Sequence, residues 1–293
     1  MGAAFATQLS KLSGLDWTFS PGWLAAGMLA FVVLQAALCV LWLRLVRRLG
    51  GALAAPRGRS IWCMSTLGRY VPTGALMIVG RIDMAHRAGV PRRVCMASIV
   101  YELALTLVGA LVVCAGFIVS LDELAPAPVR WAAPVLGVLA LAGLHPRIFS
   151  PVANRLLRRV GAEPLPVVLS SIEVLRYALA YVFCFVLAGV DTLALARGLH
   201  PVATHDVPLV AASFAVGFVA SIVGFLSPGG LGAREVAQGT ALAAALPFAV
   251  GLAVAVAGRL VQMAIELASA GLMPLLERRA SRPAAAVPTG VSE

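Results

Sequence analysis

"GFLSPGGLGAREVAQ", Gly224 to Gln238, places a proline, four glycines and the adjacent charges Arg234 and Glu235 inside an apolar region that runs from Val207 to Leu246. Proline has no backbone N–H to give and glycine holds a helix poorly, so the chain must leave the helix there. In hydrocarbon each unpaired backbone group costs several kcal/mol and is tolerated only where protein buries it or where it lines a wet cavity. The break therefore marks a cavity or, as the plain alternative, a helix turn at the membrane surface. It leaves two folds open: a region that crosses the bilayer twice, or one that dips in from one face and returns.

Composition puts the break in a membrane. The chain has 293 residues, 60% of them hydrophobic and 12% charged, with a mean hydropathy of +0.93, which leaves too little polar surface for a soluble fold. Apolar runs near the ~20 residues that cross ~30 Å of hydrocarbon recur along its length. They predict an all-α, polytopic membrane helical bundle at 21–276, with an interfacial leader at 1–20 and a disordered cytoplasmic tail at 277–293. The net charge of +10 comes from arginines in short loops, where positive charge orients spans; nucleic acid is not expected as a partner. Five cysteines stand singly, with no CxxC pair and no histidine at ligand spacing, so they read as core and no metal is expected. Lys11 is the sole lysine and no Gly-rich Lys-Ser/Thr loop exists, which argues against ATP hydrolysis. His86, His145, His200 and His205 fall in expected loops, away from Ser227, so no catalytic set forms. Neither enzymatic activity nor a cofactor is expected.

Spans are predicted at Pro21–Leu43, Val94–Ser120, Val168–Val190 and Phe248–Leu275, with a short one holding Pro134 at Val129–Leu144. A second broken region, Ser60–Val79, carries Gly68, Arg69, Pro72 and Gly74. Arginines flank it on both sides, so by the positive-inside rule it enters from the cytoplasm, turns at Pro72-Thr73-Gly74 and leaves as it came. Asp122 with Glu123, and Asp191 to Asp206, read as outer loops; the termini fall outside (amino) and inside (carboxyl), in a bacterial plasma membrane. Two Pro-Gly broken hairpins, re-entrant or built of half-helices, would then face each other as in an inverted repeat.

Half-helices starting after Gly74 and Gly230 would aim amide donors and a positive dipole end at an anion such as phosphate. Arg69, Arg81 and Arg234 accompany the breaks, and a guanidinium fork matches phosphate oxygens; surface snorkelling is the alternative for Arg81. Acids in apolar runs must be paired. Glu173 and Arg176 can neutralise each other on one helix. Glu102, and Arg259 with Glu266 on one face of the last span, are candidates for substrate contact or proton relay.

The stretches "LGRYVPTGALMIVGRIDMAHRAGVPRRVCMASIVYE", Leu67 to Glu102, and "SFAVGFVASIVGFLSPGGLGAREVA", Ser213 to Ala237, resemble the flippase-like family that includes the transmembrane half of bacterial lysylphosphatidylglycerol synthase. The likeness covers nearly the whole chain from about Pro21. It implies movement of an anionic or lipid-phosphate-linked headgroup between leaflets. The binding residues it implies are Arg69, Pro72, Gly74, Arg81 and Glu102 from the first motif, and Ser227, Pro228, Gly229, Gly230, Gly232, Arg234 and Glu235 from the second. Thr73 stands where the family often has glycine, and relatives often begin with one more span. Membrane lipids and a lipid-biosynthesis enzyme are the partners implied. Two other functions fit the same residues: a transferase acting on a lipid-linked sugar, and an accessory subunit of an envelope-lipid complex.

Overall fold

A computed structural model describes residues 17–71, 75–120, 127–159, 163–165, 167–224 and 232–280. Among them the chain is all helical: α1 (Pro21–Arg48), α2 (Ala55–Thr66), a 3₁₀ turn (Leu67–Tyr70), α3 (Ala75–Arg87), α4 (Arg92–Ser120), α5 (Ala127–Gly143), α6 (Pro146–Arg159), α7 (Ser171–Leu199), a 3₁₀ turn (Thr204–Asp206), α8 (Val207–Gly224), α9 (Ala233–Leu242) and α10 (Phe248–Ala280). Local chemistry sets several ends. Pro21 opens α1, where its missing N–H costs nothing. Ser170 and Glu173 form a reciprocal capping box at the start of α7.

Five segments are long and apolar enough to cross a membrane: Pro21–Arg48, Arg92–Ile118, Ser171–Leu199, Thr204–Ile222 and Phe248–Ala280. A sixth exists if Pro134–Gly143 and Pro146–Arg159, bent by 66°, count together as one broken span; otherwise that pair is a re-entrant loop. This is the architecture of an integral membrane protein. Leu29, Val32, Leu136, Leu139, Leu179, Phe183, Leu260 and Leu267 stay exposed on the outer faces, as a lipid-facing surface requires. Inside, Trp42, Leu45, Ile61, Tyr101, Leu105 and Tyr181 belong to one buried cluster joining α1, α2, α4 and α7. All five cysteines are buried and unbridged, as expected of core residues.

Contacts assign the helix ends to two sides. At one end Arg48 pairs with Glu173, Arg57 with Glu277 and Arg93 with Glu163. At the other, Thr18 and Ser20 donate to the carbonyls of Leu199 and Gly198, and Leu242 and Leu246 cluster with Val250. The first end gathers most of the arginines and is called the basic end below.

Two boundaries and one pairing differ from expectation. Helix α7 continues to Leu199 rather than stopping near Val190, so Asp191 lies inside a helix and is buried instead of sitting in a loop. Glu173 faces Arg48 and caps its own helix, and makes no ion pair with Arg176. The last helix runs through residue 277 to Ala280, because Glu277 is held by Arg57. Asp122, Glu123 and the segment 281–293 lie outside the described residues.

Candidate functional site

Helices α2 and α3 fold back on each other. Ser65 accepts a 2.8 Å hydrogen bond from Arg81 Nε, and a Cβ on Gly68 would stand 2.5 Å from the backbone nitrogen of Met77. Successive residues thus meet in antiparallel order, and only glycine permits so close an approach at position 68. The far end of this hairpin reaches α10, where Arg69 Nη1 lies 3.1 Å from Glu266 Oε1 and the Tyr70 hydroxyl donates to Glu266 Oε2 at 2.8 Å. Its near end is fixed by Arg57 on Glu277. Eleven helical residues separate Glu277 from Glu266, so the hairpin penetrates roughly 16 Å from the basic end.

Helices α8 and α9 repeat the arrangement from the other side. A Cβ on Gly217 would lie 2.8 Å from the Cβ of Gln238 and 3.1 Å from the carbonyl of Arg234, while Ala212 clusters with Ala241. This pairing is again antiparallel. The far end meets α10 at Arg259, whose Nε lies 3.6 Å from Glu235 Oε1. Arg259 is eleven residues into α10, about 16 Å from the opposite end. Arg69 and Glu235 therefore meet the middle of the same helix about two turns apart.

Between them lies a cavity of about 340 Å³. Arg69, Arg81, Glu102, Arg234, Glu235, Arg259 and Glu266, seven of the residues singled out in the sequence, all line it. Gly232 adopts φ +102° immediately before α9, a conformation that favours glycine. Pro72, Gly74, Ser227, Pro228, Gly229 and Gly230 lie outside the described residues.

The charges are arranged in pairs. Arg81, only 1% exposed, turns inward to Glu102 rather than snorkelling outward, and it also sits over the rings of Trp42 and Trp62 at 5.2 and 5.6 Å. Glu266, also 1% exposed, is shared by Arg69, Tyr70 and Gln262. Arg259 reaches both Glu235 and Gln262 and covers the Tyr70 ring. Arg234 differs: among the described residues no carboxylate lies within 4 Å of it, and its guanidinium rests 4.6 Å from the centroid of Phe214. Phe31, Leu34, Leu38, Phe185 and Phe218 form the apolar part of the wall.

Trp62, Tyr70, Gln262 and Asp191 were not anticipated. Trp62 Nε1 donates to Glu102 at 3.1 Å. Tyr70 adjoins Arg69, and that adjacency was the available signal. Asp191, 3% exposed, lines a recess of about 10 Å³ behind the cavity together with Arg234, Glu235, Gln238 and Arg259. Its Oδ1 accepts no hydrogen bond from any described residue. Among the described residues no group of His, Cys, Asp and Glu could hold a metal ion. Neither known protein-family models nor curated proteins match the chain.

Proposed function

We propose that this protein carries the headgroup of an anionic or phosphate-linked lipid across the bilayer, with the acyl or prenyl tails left in hydrocarbon. The observation that carries the proposal is a cluster of four arginines and three glutamates on one cavity that the middle of α10 shares with two hairpins. Charges at that depth are costly unless paired or functional. Here one cation exceeds the acids that line the same space.

In this proposal both hairpins are re-entrant, the first from the cytoplasm and the second from outside. The returning limb of the second, α9, has 10 residues that span about 15 Å, half of what a crossing requires, while its entering limb α8 is itself long enough to cross. Two hairpins of opposite entry give the site inverted symmetry, suited to opening toward either face. Arg234 and Arg69 take the phosphate oxygens, for which guanidinium geometry is matched. Glu102, Glu235 and Glu266 hold the remaining arginines in place, and the aromatic wall accepts the glycerol or first methylenes. The positive-inside rule puts the basic end and the carboxyl terminus in the bacterial cytoplasm, where a lipid-biosynthesis enzyme would be a natural partner.

The test is transport by purified protein in vesicles carrying headgroup-labelled lipids of several classes. At least one anionic class should exchange leaflets faster than in protein-free vesicles, and Arg234→Ala with Arg69→Ala should abolish the excess. Exchange at the protein-free rate for every class, or an unaltered rate in the double variant, rejects transport through this cavity. Chemical change in the lipid would point to a transferase instead.

A further inference from the structure

We propose that Asp191 is the internal counter-ion of Arg234 and that its protonation frees this arginine for an anionic ligand, so that binding one anion takes up one proton. The inference rests on the headgroup-binding function proposed above. Three observations lead to it.

First, the pairing inside the cavity is incomplete. Arg69, Arg81 and Arg259 each have a glutamate within 4 Å. Arg234 has an aromatic ring instead. Second, Arg234 lines both the main cavity and the small recess, and Asp191 lies in the recess alone. Third, Asp191 is buried with an unpartnered Oδ1 in the recess that it shares with Arg234.

The neighbours of Asp191 offer no rival. From α9 come Arg234 and Glu235, and from α10 Arg259, which is already engaged by Glu235. Helix α8 presents Phe214 and has no titratable side chain; α1 approaches with Gly27 and has none between Pro21 and Leu38. Helix α4 also packs on α7 but sends no residue into the recess; its Glu102 is bound to Arg81 and its Cys114 is a buried thiol.

A carboxylate buried this deeply in a membrane helix has two tolerable states: ionised beside a cation, or protonated. When it is ionised, Arg234 is neutralised from the recess side and the whole cluster has no net charge. A proton from water on the carboxylate oxygen leaves the cluster with one positive charge, and Arg234 is then available to a phosphate. By linkage, an anion on Arg234 in turn favours the proton on Asp191. The recess has room for about one water molecule, enough for a relay and too little for a headgroup.

Calorimetric titration of the purified protein with soluble dihexanoyl phosphatidylglycerol and, separately, dimethyl phosphate, neither of which exchanges a proton of its own near neutral pH, each in buffers of different ionisation heat, counts the protons. Wild type should take up about one proton per molecule bound, and its affinity should fall about tenfold per pH unit above the titration of Asp191. Asp191→Asn, close in shape to the protonated acid, should bind with an affinity independent of pH and take up none. Proton uptake with either probe supports the link, and the probe that gives it shows whether a whole headgroup or a bare phosphodiester is recognised. Binding without proton uptake, or a wild-type pH slope in Asp191→Asn, overturns the link and leaves the transport proposal standing. No binding of either probe at any pH removes the transport proposal instead. Infrared difference spectra then decide the Asp191–Arg234 relation without ligand. The carboxylic-acid band that Asp191→Asn removes should grow in Arg234→Gln and stay unchanged in Arg234→Lys; equal bands in wild type and Arg234→Gln overturn it.

Discussion

Arg81 and Glu102 show what a single buried pair does for the site. Arg81 is enclosed by two tryptophans, Ser65 and Glu102, so its charge cannot reach water. Breaking a buried pair by removing one partner typically costs about 3 to 5 kcal/mol, because the other charge remains uncompensated. Glu102→Gln is therefore expected to lower the thermal midpoint of the detergent-solubilised protein by many degrees, and the apolar double substitution Arg81→Met with Glu102→Leu should recover most of it. A Glu102→Gln variant as stable as wild type would show that Arg81 has another counter-ion. Both residues were visible in the sequence as charges in apolar runs, but their pairing was not. They lie 21 residues apart across a helix boundary, and nothing in one dimension relates the inner face of α3 to that of α4.

At the scale of elements, the two hairpins depend on glycines that let backbones touch. A Cβ on Gly217 would collide with Gln238 and Arg234, and no flexible side-chain end could yield for it. Gly217→Leu should push α9 from α8, displacing Arg234 from the cavity; anion binding should fall at least tenfold while the other helices persist in circular dichroism. Unchanged binding would mean that the α8–α9 contact does not position Arg234. The capping box of α7 makes a smaller prediction. Ser170→Ala removes the acceptor for the Glu173 amide and should cost about 1 kcal/mol, seen as a modest drop in thermal midpoint with binding intact. Of these elements, the long spans can be recognised from hydropathy alone, whereas hydropathy ends α7 near Val190, short of Leu199. Asp191, Thr192 and Arg197 lower the apolar signal near its end, yet the helix continues because Asp191 and Thr192 are buried against its neighbours.

For the whole molecule, the ends of the helices fall into two sets. Arg87, Arg158 and Arg279 are exposed toward the basic end, and Thr204 is exposed at the other. Single cysteines at the first three positions should react with an impermeant reagent only in inside-out vesicles, and at Thr204 only in intact cells. Labelling of Arg87→Cys and Arg279→Cys from opposite sides would exclude a first hairpin that enters and leaves by one face. The site exists only at this scale: its charged residues come from positions 69 to 266, carried by α3, α4, α9, α10 and the first 3₁₀ turn.

Composition and periodicity by themselves determined that this protein is helical and lives in a membrane, since hydropathy is additive along the chain. They also marked Pro-Gly interruptions between α2 and α3 and between α8 and α9, but proline alone does not decide a break, since Pro134, Pro151 and Pro274 lie inside helices. Which charges neutralise each other was decided only by the tertiary structure, because an ion pair depends on distances of a few ångströms between residues up to about two hundred positions apart. Asp191 looks like a loop acid in the sequence for the same reason: burial is a property of its neighbours, and those neighbours, α9 and α10, are supplied by the fold.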